Sequence, residues 1–115
     1  MSRNVVVLVT CGSAKEAKSI ADALVRKRLA ACVNVLTSPV RSIYRWKGIV
    51  ETAKEYLLVI KTSSRRFAGL EKEIRRLHSY EAPEIIALPI AAGSKPYLKW
   101  LEASVNKTEA GRKRK

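Results

Sequence analysis

The sequence predicts a single α+β domain whose elements follow the order β-α-β-β-α-β, with one further helix at its C-terminal end. Two continuous apolar runs of strand length, VVVLV (5–9) and YLLVI (56–60), predict strands that are covered on both faces. A longer segment with apolar residues at helical spacing follows each of these strands and predicts a helix that covers the sheet. Because 115 residues is the length of one domain, we assign this domain to residues 1–106.

The first helix is predicted to begin directly after the first strand. Ser13-Ala14-Lys15-Glu16 has the pattern of a capping box, in which the serine accepts a backbone hydrogen bond and the glutamate reaches back to the serine. The helix is expected to end near Leu29. Its predicted buried stripe consists of Ala17, Ile20, Ala21 and Leu24.

Residues 32–46 and 50–62 are predicted to form the two arms of a long β-hairpin. In the first arm, valines alternate with a polar residue and Pro39 interrupts the run, which is typical of an edge strand or a bent strand. Lys47-Gly48 is the predicted turn. The second arm carries the YLLVI run, so we expect it to lie nearer the centre of the sheet.

A second helix, a last strand and a final short helix complete the pattern. Ser63 or Ser64 is predicted to cap the second helix. EIIALPI (84–90) is predicted to be an edge strand because it contains Pro89. The final helix is expected to open at Ser94. The apolar stripes of the two helices are Phe67, Leu70, Ile74 and Leu77, and then Tyr97, Leu98, Leu101 and Val105.

This order is that of a ferredoxin-like split β-α-β sheet with its helices on one face. The first and third strands are apolar throughout, so we expect the other face to be buried by self-association. Tyr44 and Trp46 lie on the same side of the hairpin arm, where a small domain cannot cover them. We expect them at a subunit interface, with Trp46 as an anchor; ordinary core packing is the alternative.

The chain is strongly basic, with 23 lysine and arginine residues against 10 acidic ones and a net charge of +13. Residues 107–115, KTEAGRKRK, have no apolar pattern and are predicted to be a disordered basic tail. A nucleic-acid-binding module of the same topology is therefore the alternative function. Such a module stacks bases on aromatic residues of its central strands, and VVVLV has none. We favour a solvated surface of thermophilic character that binds nucleic acid at most weakly and without specificity.

The two cysteines indicate a reducing compartment. Cys11 and Cys32 are predicted to lie at opposite ends of the first helix, and about 1.5 Å of rise per residue separates them too far for a disulfide. The apolar run at 5–9 is too short for the core of a signal peptide, and no stretch approaches the roughly 20 apolar residues of a membrane span. We expect a cytoplasmic protein without membrane contact.

His78 is the only histidine of the chain and stands at the predicted end of the second helix. A structural role at the helix end is favoured over a metal-ligand role, because no Cys/His pair has the spacing of a strong metal site. A catalytic triad cannot be built from one histidine and the mid-helix Asp22, and no glycine-rich phosphate loop is present. We expect no enzyme; a hydrolase or transferase acting on phosphorylated metabolites is a third functional class.

Several segments in a fixed order together resemble the CutA family of divalent-cation tolerance proteins. The resemblance covers nearly the whole of residues 4–105 and implies a ferredoxin-like subunit in a tight homotrimer. It also implies a role in tolerance of copper and other divalent ions, by binding or regulation rather than turnover. The segments are LAACVNV (29–35), RSIYRWKG (41–48), LLVIKT (57–62), HSYEAPEIIALPI (78–90) and YLKWL (97–101).

In family members that bind copper, the implicated ligands are a cysteine near the end of the first strand and a His-His pair at the end of the second helix. His78 matches the second histidine, and Leu77 stands at the position of the first. Val9 stands at the cysteine position, and Cys11 is expected past the strand end as a weaker candidate ligand whose thiolate suits Cu(I). The resemblance thus implies no obligatory cofactor, but a site for Cu²⁺ or another divalent cation.

The segment HSYEAPEIIALPI is expected to be first a structural junction between helix and strand. Around it, at the subunit boundary that the resemblance implies, a polar ligand cleft is expected. The residues predicted to line this cleft are Lys61, His78, Tyr80, Glu81 and Glu84. The predicted function is that of a non-catalytic homotrimer that binds a divalent cation or a small ligand.

Overall fold

Strand β1 (Asn4–Cys11) lies at the centre of an antiparallel sheet in the computed structural model, which describes residues 3–106. It pairs with β4 (Ile49–Ser63) on one side and with β5 (Ile85–Pro89) on the other. Strand β2 (Cys32–Val35) lies outside β4. The resulting order β2-β4-β1-β5 confirms that the first and third predicted strands are central and that the others form the edges.

Helices α1 (Ala14–Arg26) and α2 (Phe67–Leu77) pack on one face of the sheet and share a single core with it. Alternate residues of β1 point into this core, as the period of a strand requires. The ferredoxin-like α+β arrangement predicted from the sequence is confirmed. The core contains Val5, Val7, Val9, Ala17, Ile20, Leu24, Leu58, Ile60, Leu70 and Ile74.

Helix α1 begins where predicted but ends earlier. The side-chain oxygen of Ser13 accepts a hydrogen bond from the N–H of Glu16 at 3.1 Å, which confirms the cap. The helix ends at Arg26 rather than near Leu29, because Arg28 adopts a left-handed backbone with φ 58°. The N–H of Leu29 then bonds back to the carbonyl of Leu24 at 2.9 Å, which closes the helix end.

The first arm of the predicted hairpin consists of two strands, β2 and β3 (Val40–Trp46), because the segment containing Pro39 interrupts it. Both strands pair with β4, whose 15 residues run without a break from the sheet into the hairpin. Lys47 and Gly48 form the predicted turn with positive φ angles of 51° and 83°, the turn geometry that suits a two-residue hairpin loop. The described part of the chain measures 49 Å in its longest dimension against 24 Å in its shortest.

Helix α2 is not capped as expected. Strand β4 continues to Ser63, and a 3₁₀ turn over Ser64–Arg66 precedes the helix. Neither serine side chain caps the helix. The N–H of Ser64 and its hydroxyl both donate to the carbonyl of Arg3, at 2.8 and 3.3 Å. The serine that was predicted to start α2 instead fixes the N-terminal end of β1.

Helix α3 (Lys95–Asn106) packs Leu101 and Val105 against Ala31, and the predicted C-terminal helix is confirmed. The Nε–H of Arg66 donates to the carbonyl of Val105 at 2.8 Å and holds the end of this helix against the start of α2. None of the helices within residues 3–106 combines the length and apolar character needed to cross a bilayer. The predicted tail, 107–115, lies outside the described residues, and the domain boundary at 106 stays a prediction.

Candidate functional site

His78 connects the end of helix α2 to the end of strand β1. Its N–H donates to the carbonyl of Ile74 at 2.8 Å, so that it caps the helix, and the residue is buried. The N–H of Tyr80 donates to ring atom Nδ1 at 3.1 Å. Since Nδ1 accepts, the proton lies on Nε2, which donates to the carbonyl of Thr10 at 2.8 Å. The junction that the sequence predicts is therefore built on both nitrogens of the imidazole.

Glu16 has a role that the capping-box pattern does not reveal. Its carboxylate was expected to reach back to the N–H of Ser13. It instead accepts hydrogen bonds from the N–H of Ser79 at 2.7 Å and from the Ser79 hydroxyl at 3.2 Å. The first turn of α1 is thereby bonded to the residue that follows His78.

Cys11 is the last residue of β1, not a residue past the strand end as expected, because it still pairs with Tyr56 of β4. It belongs to the buried core and is a free thiol. Burial, followed by the charges of Glu16 and Glu55, raises the pKa of Cys11 to about 12. At neutral pH its sulfur therefore carries a proton.

Cys11, Glu16 and His78 form a group whose ligand-type atoms all lie within 4.8 Å of one another. Thiolate, carboxylate and imidazole together are donors that Cu and Zn accept, so the group fits a soft or borderline divalent ion in chemical type. Each donor is nevertheless engaged: both ring nitrogens and the carboxylate accept or donate hydrogen bonds, and the sulfur is protonated. Loading a metal thus requires that one ring bond break and that the thiol lose its proton.

A cleft of about 750 Å³ adjoins this group, since its lining includes Ser79 and Tyr80, which are bonded to Glu16 and His78. Of the residues predicted to line a ligand cleft, Tyr80, Glu81 and Glu84 do so. The predicted interface residues Tyr44 and Trp46 form part of the same lining, and we call this space the aromatic cleft. The structure thus brings together two sets of residues that the sequence analysis treated separately.

Lys61 and His78 do not line the aromatic cleft, contrary to expectation. The amine of Lys61 instead donates to the side chain of Asn34 on the neighbouring strand and to the carbonyl of Val59. The ring of His78 packs against Tyr80, with 4.7 Å between the ring centroids, and of these two rings Tyr80 is the one in the lining.

Glu55 is the residue of the aromatic cleft that the sequence analysis missed. It lies inside strand β4, yet it belongs to the lining of the cleft, and the residue is only 6% exposed. Burial, and then the hydrogen bond and charge of Glu55, raise the pKa of Tyr80 above its ordinary value. A charged residue directly before the apolar YLLVI run was the only sequence signal for this position.

Known proteins resemble this chain in sequence and in fold. Residues 5–104 match the family described as CutA1 divalent ion tolerance protein. The divalent-cation tolerance protein CutA of Thermus thermophilus is 50% identical over 96 residues, which are 84% of this chain and 92% of that relative. A solved structure of the divalent cation tolerance protein from Thermus thermophilus superimposes with a TM-score of 0.85 at 48% identity, covering 88% of this chain and 97% of that one.

A human relative named protein CutA is also 50% identical, over 93 residues that make up 81% of this chain. The chain spans only about half of the human relative, because the match covers 51% of its length. The match to the family extends from the second residue of β1 almost to the end of α3. The chain therefore belongs to the CutA1 family of divalent ion tolerance proteins.

Proposed function

We propose that this chain is a non-catalytic homotrimeric binding protein, with a divalent cation, Cu²⁺ in the first place, as its ligand at the Cys11–Glu16–His78 group. The observation that carries the proposal is the convergence of these three donor types within 4.8 Å. The names of its relatives, which refer to divalent-cation tolerance, support the same ligand class. The aromatic cleft is a second place, beside the Cys11–Glu16–His78 group, where a small ligand can bind.

Binding rather than turnover is supported by the environment of His78. A general base needs a ring nitrogen that can reach the reacting proton. Both nitrogens of this ring are held by backbone groups, and His78 is not among the residues that line the cleft. The imidazole therefore serves the fold in this state and is not directed at a substrate.

Assembly is supported by the apolar surface of the hairpin and of the sheet edge. Ile43 and Ile49 are 67% and 62% exposed, and Ile86 and Leu88 on edge strand β5 are about half exposed. Exposed apolar surface of this kind marks contact with another protein chain. The number three comes from the family resemblance. The cytoplasmic location expected from the sequence stays a prediction, consistent with the two free cysteines.

The experiment is a calorimetric titration of the assembled protein with Cu²⁺, run beside sedimentation of each sample. We compare the parent with Cys11→Ser and with His78→Gln, whose amide retains a donor for the Thr10 carbonyl. Cys32→Ser is the matched control because Cys32 is the other free cysteine and lies outside the group. Both test variants should remain trimeric and lose most of the Cu²⁺ binding, while the control should bind as the parent does.

Unchanged Cu²⁺ binding by both test variants would show that the metal role lies elsewhere. A folded monomer at micromolar concentration would contradict the assembly. Nanomolar, sequence-selective nucleic-acid binding that persists at physiological salt would favour the alternative class of function.

A further inference from the structure

The aromatic cleft differs in charge from the rest of the molecule. The chain carries a net charge of +13. The lining of the cleft within residues 3–106 nevertheless contains three carboxylates, those of Glu55, Glu81 and Glu84, and no lysine or arginine. A concave acidic surface on a basic protein attracts cationic ligands and disfavours anions. The cleft is therefore unsuited to phosphorylated metabolites.

Glu55 is the buried carboxylate of the cleft lining. A carboxylate that is 6% exposed loses most of its hydration, which is costly unless a counter-ion or several hydrogen bonds replace it. No ion pair to Glu55 is formed by the residues that the structure describes, although ion pairs are formed by Glu71, Glu73 and Glu102. The interaction with Tyr80 supplies only a neutral donor. Among the described residues, the buried Glu55 therefore lines the cleft without forming an ion pair.

The remaining walls suit an organic cation better than a bare metal ion. Tyr44, Trp46 and Tyr80 bring three aromatic rings to the lining, and aromatic faces attract ammonium and guanidinium groups. The amine of Lys47 already lies 5.7 Å from the centroid of the Trp46 ring, which shows that this ring accepts a cation. A metal ion needs several donor atoms close together, and the group within residues 3–106 that meets this condition is the one at Cys11 and His78, not the glutamates of the cleft. A space of about 750 Å³ accommodates a small molecule with an apolar body.

We propose that the aromatic cleft binds an organic cation, a small molecule with a protonated amine on an apolar chain, and that Glu55 is its counter-ion. Glu81 and Glu84 also line the cleft and add negative charge for a second amine, and Tyr44 and Trp46 supply apolar wall for the chain of the ligand. The inference rests on the proposed function in one respect, that the chain acts by binding a ligand.

The test uses 1,4-diaminobutane as the probe, with 1,4-butanediol as an uncharged molecule of the same length. The assembled Trp100→Phe protein leaves Trp46 as the only tryptophan, so its fluorescence reports on the cleft; calorimetry measures the affinity. The diamine should bind and change this fluorescence, and the diol should do neither. Glu55→Gln should weaken diamine binding at least about tenfold, because it removes a charge-assisted hydrogen bond.

Glu71→Gln is the matched control, since it removes the same charge from the outer face of α2, where Glu71 pairs with Arg75 at 3.8 Å. It should bind the diamine as the parent does. Glu84→Gln is a second test variant at an exposed position, which leaves folding intact and should weaken binding severalfold.

Three results would overturn the inference. The first is the absence of diamine binding to the parent, and the second is equal binding by the diamine and the diol. The third is dissociation of the trimer in Glu55→Gln, which would identify the counter-ion as a cationic side chain of a neighbouring subunit. Cu²⁺ titration of the same samples separates the two proposals. If the protein binds the diamine but not Cu²⁺, only the proposed metal site at Cys11, Glu16 and His78 is contradicted.

Discussion

The Nε2 atom of His78 lies 2.8 Å from the carbonyl oxygen of Thr10, so that the residue after helix α2 is bonded directly to central strand β1. Thr10 is itself buried, so a water molecule has little access to its carbonyl and cannot easily replace the Nε2–H of His78 as the donor. The only histidine of the chain is consequently a connection between two layers of the fold as well as a candidate ligand.

Replacing His78 by alanine should lower the free energy of unfolding by about 1–3 kcal/mol, the cost of leaving a buried acceptor unsatisfied. Urea unfolding of parent and variant measures this difference. His78→Gln is the control, because its amide can still donate to the Thr10 carbonyl and should recover part of the loss. A change in the alanine variant below about 0.5 kcal/mol would show that the bond contributes no stability.

The carboxylate of Glu73 should make stability depend on pH in the acid range. Hydrogen bonds from Arg76, and then from Lys27 at 2.8 Å, lower its pKa from 4.5 to about 2. A lowered pKa means that the contribution to stability is complete above pH 4.5 and is lost as pH falls towards 2. The free energies of unfolding of the parent and of Glu73→Gln, measured between pH 2 and pH 6, should therefore differ most near pH 6 and become equal towards pH 2.

Glu71→Gln is the control for this prediction, since its partner Arg75 lies 3.8 Å away on the exposed side of α2. It should not change the pH profile. A constant difference between the parent and Glu73→Gln over the whole range would contradict the assignment to Glu73.

The two cysteines should differ in reactivity towards an aromatic disulfide reagent. Cys11 is fully buried and its pKa is raised to about 12, so it offers neither access nor thiolate, whereas Cys32 is half-buried. We expect one thiol to react in the native protein and the second only after unfolding. Cys32→Ser should abolish the early reaction and Cys11→Ser should retain it. An early reaction that survives in Cys32→Ser would contradict the burial of Cys11.

Trp46→Ala should weaken the proposed trimer by about 2–4 kcal/mol, the range of buried aromatic anchors at interfaces. Sedimentation over a dilution series measures the shift towards monomer. Trp100→Phe is the control, because Trp100 packs within its own subunit, 5.4 Å from the ring of Tyr97. If both variants dissociate at the same concentration as the parent, Trp46 is not an anchor.

The fold was predictable because its elements are marked by local patterns. Continuous apolar runs indicate β1 and the inner part of β4, Pro39 indicates the break in the first hairpin arm, and Lys47-Gly48 indicates the turn. The start of α2 was not predictable, because Ser64 bonds to Arg3, a residue 61 positions away. The sequence pattern is the same whether a serine side chain caps its own helix or bonds to a distant residue.

The candidate site was predictable only in part, for the same reason. His78 and Cys11 were identified by residue type, whereas Glu16 was assigned entirely to the capping box. Its carboxylate accepts from Ser79, 63 residues away, and only the packing of α1 against the end of α2 brings them together. Glu55 was missed because the alternation of buried and exposed positions does not indicate where a cleft will form beside a strand.

The continuity of β4 limits how the length of this protein can change during evolution. The first part of this 15-residue strand belongs to the hairpin and the second part to the core. Because the strand is continuous, its side chains alternate between the same two faces along its whole length. A single inserted or deleted residue within it would exchange the two sides of everything beyond that point. Natural variation in hairpin length should therefore occur in steps of two residues per arm, or at the turn itself, where Lys47 and Gly48 are exposed.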